Sequence, residues 1–123
     1  MSLITPYIPA ILGGVKQSWK KILLSKELKP KLDGCFARLD HDLQIKGVTL
    51  KIASEHGLYN YLRPIPDHIL ESFRHFDFKN LRCIIIGQDP FTTLTDAHGL
   101  SFSSPTTQHP ELKKIIECLI HHN

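Results

Sequence analysis

The chain has 123 residues, 41% hydrophobic and 22% charged, with a formal net charge of +3. This balance excludes a disordered chain and bounds the molecule at one small domain or part of a larger one, and the mild positive charge permits a polyanionic partner without demanding it. Three widely spaced cysteines, Cys35, Cys83 and Cys118, form no Cys-x-x-Cys pair, which argues against a disulfide framework or Cys-rich zinc site and for a reducing, intracellular compartment, nucleus or cytoplasm.

The first stretch, "MSLITPYIPAILGG", is apolar, but Pro6 and Pro9 interrupt it and no positive charge precedes it. It makes a poor signal peptide and falls short of the roughly 20 apolar residues of a membrane span. Residues 1–17 are expected to form an N-terminal arm that packs on another surface. No other apolar run could cross a bilayer, so no membrane partner is expected. Ser18 could cap a helix through "WKKILLSKELKPKL", where Trp19, Ile22 and Leu23 share a face and Pro30 ends or bends the helix. A second helix is expected over "KLDGCFARLDHDLQIKG", weakened by Gly34, and an extended piece over "VTLKIAS" after Gly47.

Pro64 and Pro66 stiffen the approach to a helix from Asp67, with Ile69, Leu70 and Phe73 at helical spacing and an end near His75 to Asp77. "LRCIIIG" has no alternation and is rich in β-branched residues, so Leu81 to Ile86 reads as a strand buried on both faces, typical of a parallel sheet. Loops run on to Pro110, where "PELKKIIECLI" opens a helix with proline and glutamate in its first turn and the stripe Leu112, Ile115, Ile116, Leu119. The order predicts an α/β layer fold. A parallel strand needs neighbours on both sides, which residues 1–123 do not obviously supply. The eight histidines include no His-Glu-x-x-His pattern, no metal site is expected, and the pair His121–His122 is expected in solvent.

In open α/β sheets ligands bind beyond the carboxyl ends of the strands, where "GQDPF" lies. Gly87 permits a sharp turn and a close approach, Asp89 can take a proton from water, Pro90 fixes the backbone that carries it, and Phe91 offers a flat wall. Farther on, Gly99 allows a second close approach and Phe102 could stack on a planar ring. Each has a plainer alternative. Gly-Gln-Asp-Pro is also an ordinary turn whose Asp caps a backbone N–H, Phe102 taken alone fits a core, and His98 fits a hydrogen-bonded structural histidine.

Together, "GQDPF" and "AHGLSFS" at their spacing resemble the uracil-DNA glycosylase family, in which a strand ends in the water-activating Gly-Gln-Asp-Pro-Tyr-His and Ala-His-Gly-Leu-x-Phe-Ser follows. "SWKKIL" and "YNYLRPIPDHILESFRHFDFKNLRCIIIG" resemble the family's upstream segments, so the likeness spans roughly residues 18 to 120, with only the two loops specific. It implies a three-layer α/β/α fold around a central parallel sheet, of which residues 1–123 would be a partial, truncated domain. The implied activity is hydrolysis of the N-glycosidic bond of uracil in DNA, without metal or cofactor. Asp89 would orient and deprotonate the attacking water, Gln88 would lie against uracil through its backbone amide, Phe91 would exclude the thymine methyl, and Phe102 would stack on the flipped base. The partner implied is uracil-containing DNA.

The sequence departs from the family at several points. Phe91 stands for Tyr and Thr92 for His, and the proline-rich loop has become "SPTTQHPEL", with Glu111 where a hydroxyl would meet a DNA phosphate. The family's uracil-reading Asn at a strand end and its His-Pro-Ser loop have no counterpart, since Asn123 follows a helix. Two further expectations follow: a second chain that supplies the missing half, and the alternative of a catalytically decayed DNA-binding or replication-complex scaffold subunit.

Overall fold

A computed structural model describes residues 2–105 and 109–121. Among them run five α-helices: α1 (Ile8–Leu12), α2 (Gln17–Leu23), α3 (Lys29–Ile45), α4 (Leu50–His56) and α5 (Pro110–His121). Single 3-10 turns occur at Thr5–Tyr7, Pro66–His68, Glu71–Phe73 and Phe78–Asn80. The expectations for His122 and Asn123, and for the middle of the "SPTTQHPEL" loop, fall outside the described residues.

The longest helix, α3, organises the rest. Leu28, its N-cap, offers no side-chain cap, and Pro30 lies in its first turn. There a missing N–H costs nothing, because the first-turn donors have no intrahelical acceptor. Pro30 therefore starts a helix rather than ending one, and the continuous helix expected from Trp19 to Leu32 divides after Leu23. Phe36 and Leu43 turn from α3 into the core, where they join Leu3, Ile4, Ile11, Val48, Leu58, Leu62 and Leu70. The N-terminal arm supplies part of that core. Asp40 on α3 holds it in place by accepting from Ser2 Oγ (2.6 Å) and from the backbone N–H groups of Leu3 (2.7 Å) and Ile4 (2.8 Å). Charge-assisted bonds of this kind are stronger than neutral ones.

Ser18 has a different task from the expected cap. Lys16 occupies the N-cap of α2, while Ser18 Oγ donates to Asp77 Oδ1 (3.0 Å) and accepts from the Phe78 N–H (3.0 Å). Beside it, Trp19 Nε1 donates to the Phe76 carbonyl (2.9 Å), and the indole meets Phe73 and Phe78 edge-on at 4.9 and 5.2 Å. These contacts fix the segment that leads into the loops. That segment is not the helix expected from Asp67: Leu70 interrupts it at φ −107°, ψ 31°, leaving two 3-10 turns.

The largest correction concerns the sheet. The three-layer α/β/α arrangement around a central parallel sheet is absent, because no strand occurs among the described residues. Leu81 to Ile86 follows a 3-10 turn and is neither helix nor strand, with Ile84, Ile85 and Ile86 exposed by 69, 63 and 86%. Strand propensity expresses fit to a pleated, flanked surface, so it is realised only where a second strand pairs with the first. The other extended candidate, "VTLKIAS", folds instead into α4. Thr49 caps that helix by accepting from the Ile52 N–H (3.2 Å), and Val48 is buried in the core just before it. With no partner strand, the isoleucine segment lies open. The stripe of α5 is likewise uncovered beyond Leu112: Ile116 and Leu119 are 47 and 59% exposed.

Candidate active site

Four polar contacts and one close packing point shape the loops after Ile86. The Gly87 N–H donates to Ser101 Oγ (3.2 Å) and ties the first loop to the second. Arg63 Nε donates to the Thr92 carbonyl (3.0 Å), while its Nη1 donates to the carbonyls of Leu62 (2.7 Å) and Tyr59. This guanidinium fastens the first loop to the turn before Pro64. The second loop rests on the 3-10 turn Pro66–His68 through Gly99, which has φ +91°. A Cβ on Gly99 would stand 2.0 Å from the His68 carbonyl oxygen, so only glycine fits there.

The space between the loops is an open cleft of about 610 Å³. Gln88, Asp89, Phe91 and Phe102 all line it, with Pro64 and Ile69 beneath. Asp89 and Gln88 are exposed, and Phe102 is half exposed at φ 54°, a left-handed conformation that costs an L-residue roughly 1–2 kcal/mol. Phe91 is half-buried, and one face of its ring is covered by His109, stacked at 4.3 Å and 12°. His98 also lines the cleft and shares a hydrogen bond of 2.9 Å with Ser103 Oγ. The cleft is therefore lined by a carboxylate and two aromatic rings. Glu111 is exposed in the first turn of α5.

The sequence reading missed Asp96. Its side chain is buried, accepting from Thr93 Oγ1 at Oδ2 (2.6 Å) and from Ser104 Oγ at Oδ1 (2.9 Å), with His109 Nε2 at 3.6 Å from Oδ2. A carboxylate between hydroxyl-bearing positions three back and eight ahead was the available signal, but such loop contacts follow no period. Arg63 and Ser101 were missed for the same reason.

Behind the cleft, Glu71 gathers charge. Its Oε1 lies 2.8 Å from His68 Nδ1 and 3.5 Å from Arg74 Nη1, and its Oε2 lies 3.3 Å from His75 Nε2. Arg74 in turn donates to the carbonyls of Gly13 (2.7 Å), Ile11 (2.7 Å) and Ala10 (3.2 Å), closing the end of α1. Burial pushes the Glu71 carboxyl up, but the bond with His68 and the charges of Arg74, His68 and His75 outweigh it and hold the carboxyl below its ordinary value of 4.5. A carboxylate depressed in the folded state stabilises above its unfolded pKa, and the gain disappears as pH falls through the folded value. Glu71→Gln is thus expected to lower stability at pH 7. Its deficit should close progressively below pH 4.5, a trend that urea melts at several pH values would follow.

Among the described residues no group of three or more His, Cys, Asp or Glu side chains could hold a metal ion, and no helix is long and apolar enough to cross a membrane.

Similarity to known proteins converges on one name. The chain is 28% identical over 86 residues to the uracil-DNA glycosylase of Francisella tularensis subsp. tularensis (strain WY96-3418), covering 70% of this chain and 33% of that protein. It is 46% identical over 41 residues to the uracil-DNA glycosylase of Mycoplasmopsis pulmonis (strain UAB CTIP), covering 33% of this chain and 19% of that protein. The chain thus spans at most about a third of the length of these curated relatives. No family model matches it, and no solved structure matches it.

Proposed function

We propose that the cleft acts on uracil in DNA as a uracil-DNA glycosylase does, hydrolysing the bond between the base and its deoxyribose. The observation that carries this reading is the meeting of Asp89, Gln88, Phe91 and Phe102 in one open cleft. The similarity to uracil-DNA glycosylases supports it from a separate direction. In the reaction, water attacks the anomeric carbon, the C1′–N1 bond breaks, and uracil leaves with the electron pair. Asp89 takes the water proton and, while ionised, stabilises the positive charge that develops on the sugar. Phe102 stacks on the base after it leaves the DNA stack, and Phe91 stands where the 5-methyl of thymine would lie.

The deciding experiment incubates the chain with labelled single-stranded oligonucleotides that carry one deoxyuridine or one thymidine. Free uracil from the first and no thymine from the second is the expected result. Preferential binding of the deoxyuridine strand without release would favour a catalytically decayed DNA-binding subunit. Equal affinity for both strands together with no release would overturn the glycosylase reading.

A further inference from the structure

We infer that Asp96 and His109 are positioning residues that hold the Phe91 ring as the fixed side wall of the cleft and so set its selectivity against a 5-methyl pyrimidine. The inference rests on the proposed function for the identity of the ligand, and on geometry alone for the position of the ring.

Four contacts lead from the buried side chain of Asp96 to the cleft. Asp96 is buried and its two carboxylate oxygens take different hydroxyls, Thr93 on one and Ser104 on the other. Those hydroxyls belong to the two ends of the paired loops, so the carboxylate stays fixed relative to both. His109 Nε2 stands 3.6 Å from the same Oδ2 that accepts from Thr93. The imidazole then lies nearly parallel to the Phe91 phenyl, with centroids 4.3 Å apart and planes inclined by 12°. A phenyl ring at the rim of an open cleft is otherwise at liberty to swing about χ1 and χ2 between staggered positions. A flat partner stacked on one face, with a buried carboxylate oxygen 3.6 Å from its Nε2, restricts that liberty. A wall that cannot retreat rejects an added methyl group, whereas a mobile one makes room for it. Rigidity in the supporting side chains is what turns a contact into discrimination.

Phe91 supplies the wall, and neither Asp96 nor His109 lines the cleft. Their effect on ligands should therefore pass entirely through the ring. His109→Ala removes the plate behind Phe91, whereas His109→Phe keeps a flat ring there and gives up the contact with Asp96.

The test uses the full chain with ring-labelled phenylalanine and two measurements. The first is the aromatic NMR signal of Phe91, assigned by its loss in Phe91→Leu. In the wild type the neighbouring imidazole shifts this signal by its ring current. The shift should vanish in His109→Ala and return in His109→Phe. The second is titration with free uracil and free thymine. The wild type should prefer uracil, His109→Ala should reduce that preference about tenfold, the low end of what one methyl group commands in a pocket, and His109→Phe should restore it only in part, because the new ring has no contact with Asp96. A Phe91 signal unmoved by His109→Ala overturns the positioning role. An unchanged uracil preference in His109→Ala overturns the selectivity role, whatever the ring signal does. If the wild type prefers neither base, the proposed function and the selectivity role fall together, and the ring signal still decides the positioning role by itself.

Discussion

Asp89→Asn is expected to lower uracil release by about 10²–10⁴-fold, the usual weight of a positioned general base. Affinity for deoxyuridine-containing DNA should stay close to that of the wild type. The amide has the shape of the carboxylate but cannot accept the water proton, and it carries no charge to balance the developing positive sugar. Both losses occur in the transition state and neither in the bound ground state, so kcat falls and binding survives. Exposure decides where in the range the effect lies. Asp89 is exposed in the free chain, and a charge in contact with water is screened strongly, so its electrostatic share is small until bound DNA excludes solvent. Single-turnover release and anisotropy binding, run side by side on one oligonucleotide, separate the two quantities. Release by Asp89→Asn at the wild-type rate would remove Asp89 from the chemistry.

Gly99→Ala should cost about 3 kcal/mol or more of folding stability. Two penalties combine. The backbone at φ +91° lies where L-residues are rare, and holding a side chain in such a region costs roughly 1–3 kcal/mol. The new methyl also meets the His68 carbonyl oxygen at 2.0 Å and Glu71 Cβ at 2.7 Å, and overpacking of this kind typically adds about 1–3 kcal/mol. Neither neighbour is the free end of a flexible chain, so relief requires that the second loop lift off the turn at Pro66–His68. For a small domain that is a large part of its whole stability. Gly34→Ala serves as the contrast. Gly34 lies within α3 with open space where a Cβ would stand, and alanine there should stabilise by about 0.4–1 kcal/mol through the unfolded chain. Urea melts of the two variants should move in opposite directions. A Gly99→Ala midpoint equal to the wild type would mean that the loop is not seated on that turn.

The parts of this molecule that were legible in the sequence are those fixed by local chemistry. The "KLDGCFARLDHDLQIKG" segment is helical because its own apolar residues repeat at helical spacing, and the helix opened by Pro110 and Glu111 begins where proline costs least. Gln88, Asp89, Phe91 and Phe102, which the family resemblance of the two loop motifs singles out, line one cleft. What escaped depended on partners elsewhere in the chain. "VTLKIAS" has the β-branched residues of a strand, yet it folds as a helix that Thr49 caps by accepting from the Ile52 N–H, with Val48 and Ala53 buried in the core. "LRCIIIG" has the composition of a central strand, and composition cannot provide the strands on either side. Asp96, His109 and Arg63 act between loops, where no periodicity marks which residues will meet.

The three open isoleucines also govern how the chain behaves in quantity. Two copies that meet at Ile84, Ile85 and Ile86 could remove six side chains from water, each worth about 1.5–3 kcal/mol when fully covered. The loss of independent motion on association takes back an estimated 4–15 kcal/mol. The two sums overlap, so neither the solitary nor the clustered state wins at every dilution. Encounter is second order in protein, so pairing through residues 84–86, exposed by 63 to 86%, would rise smoothly with concentration.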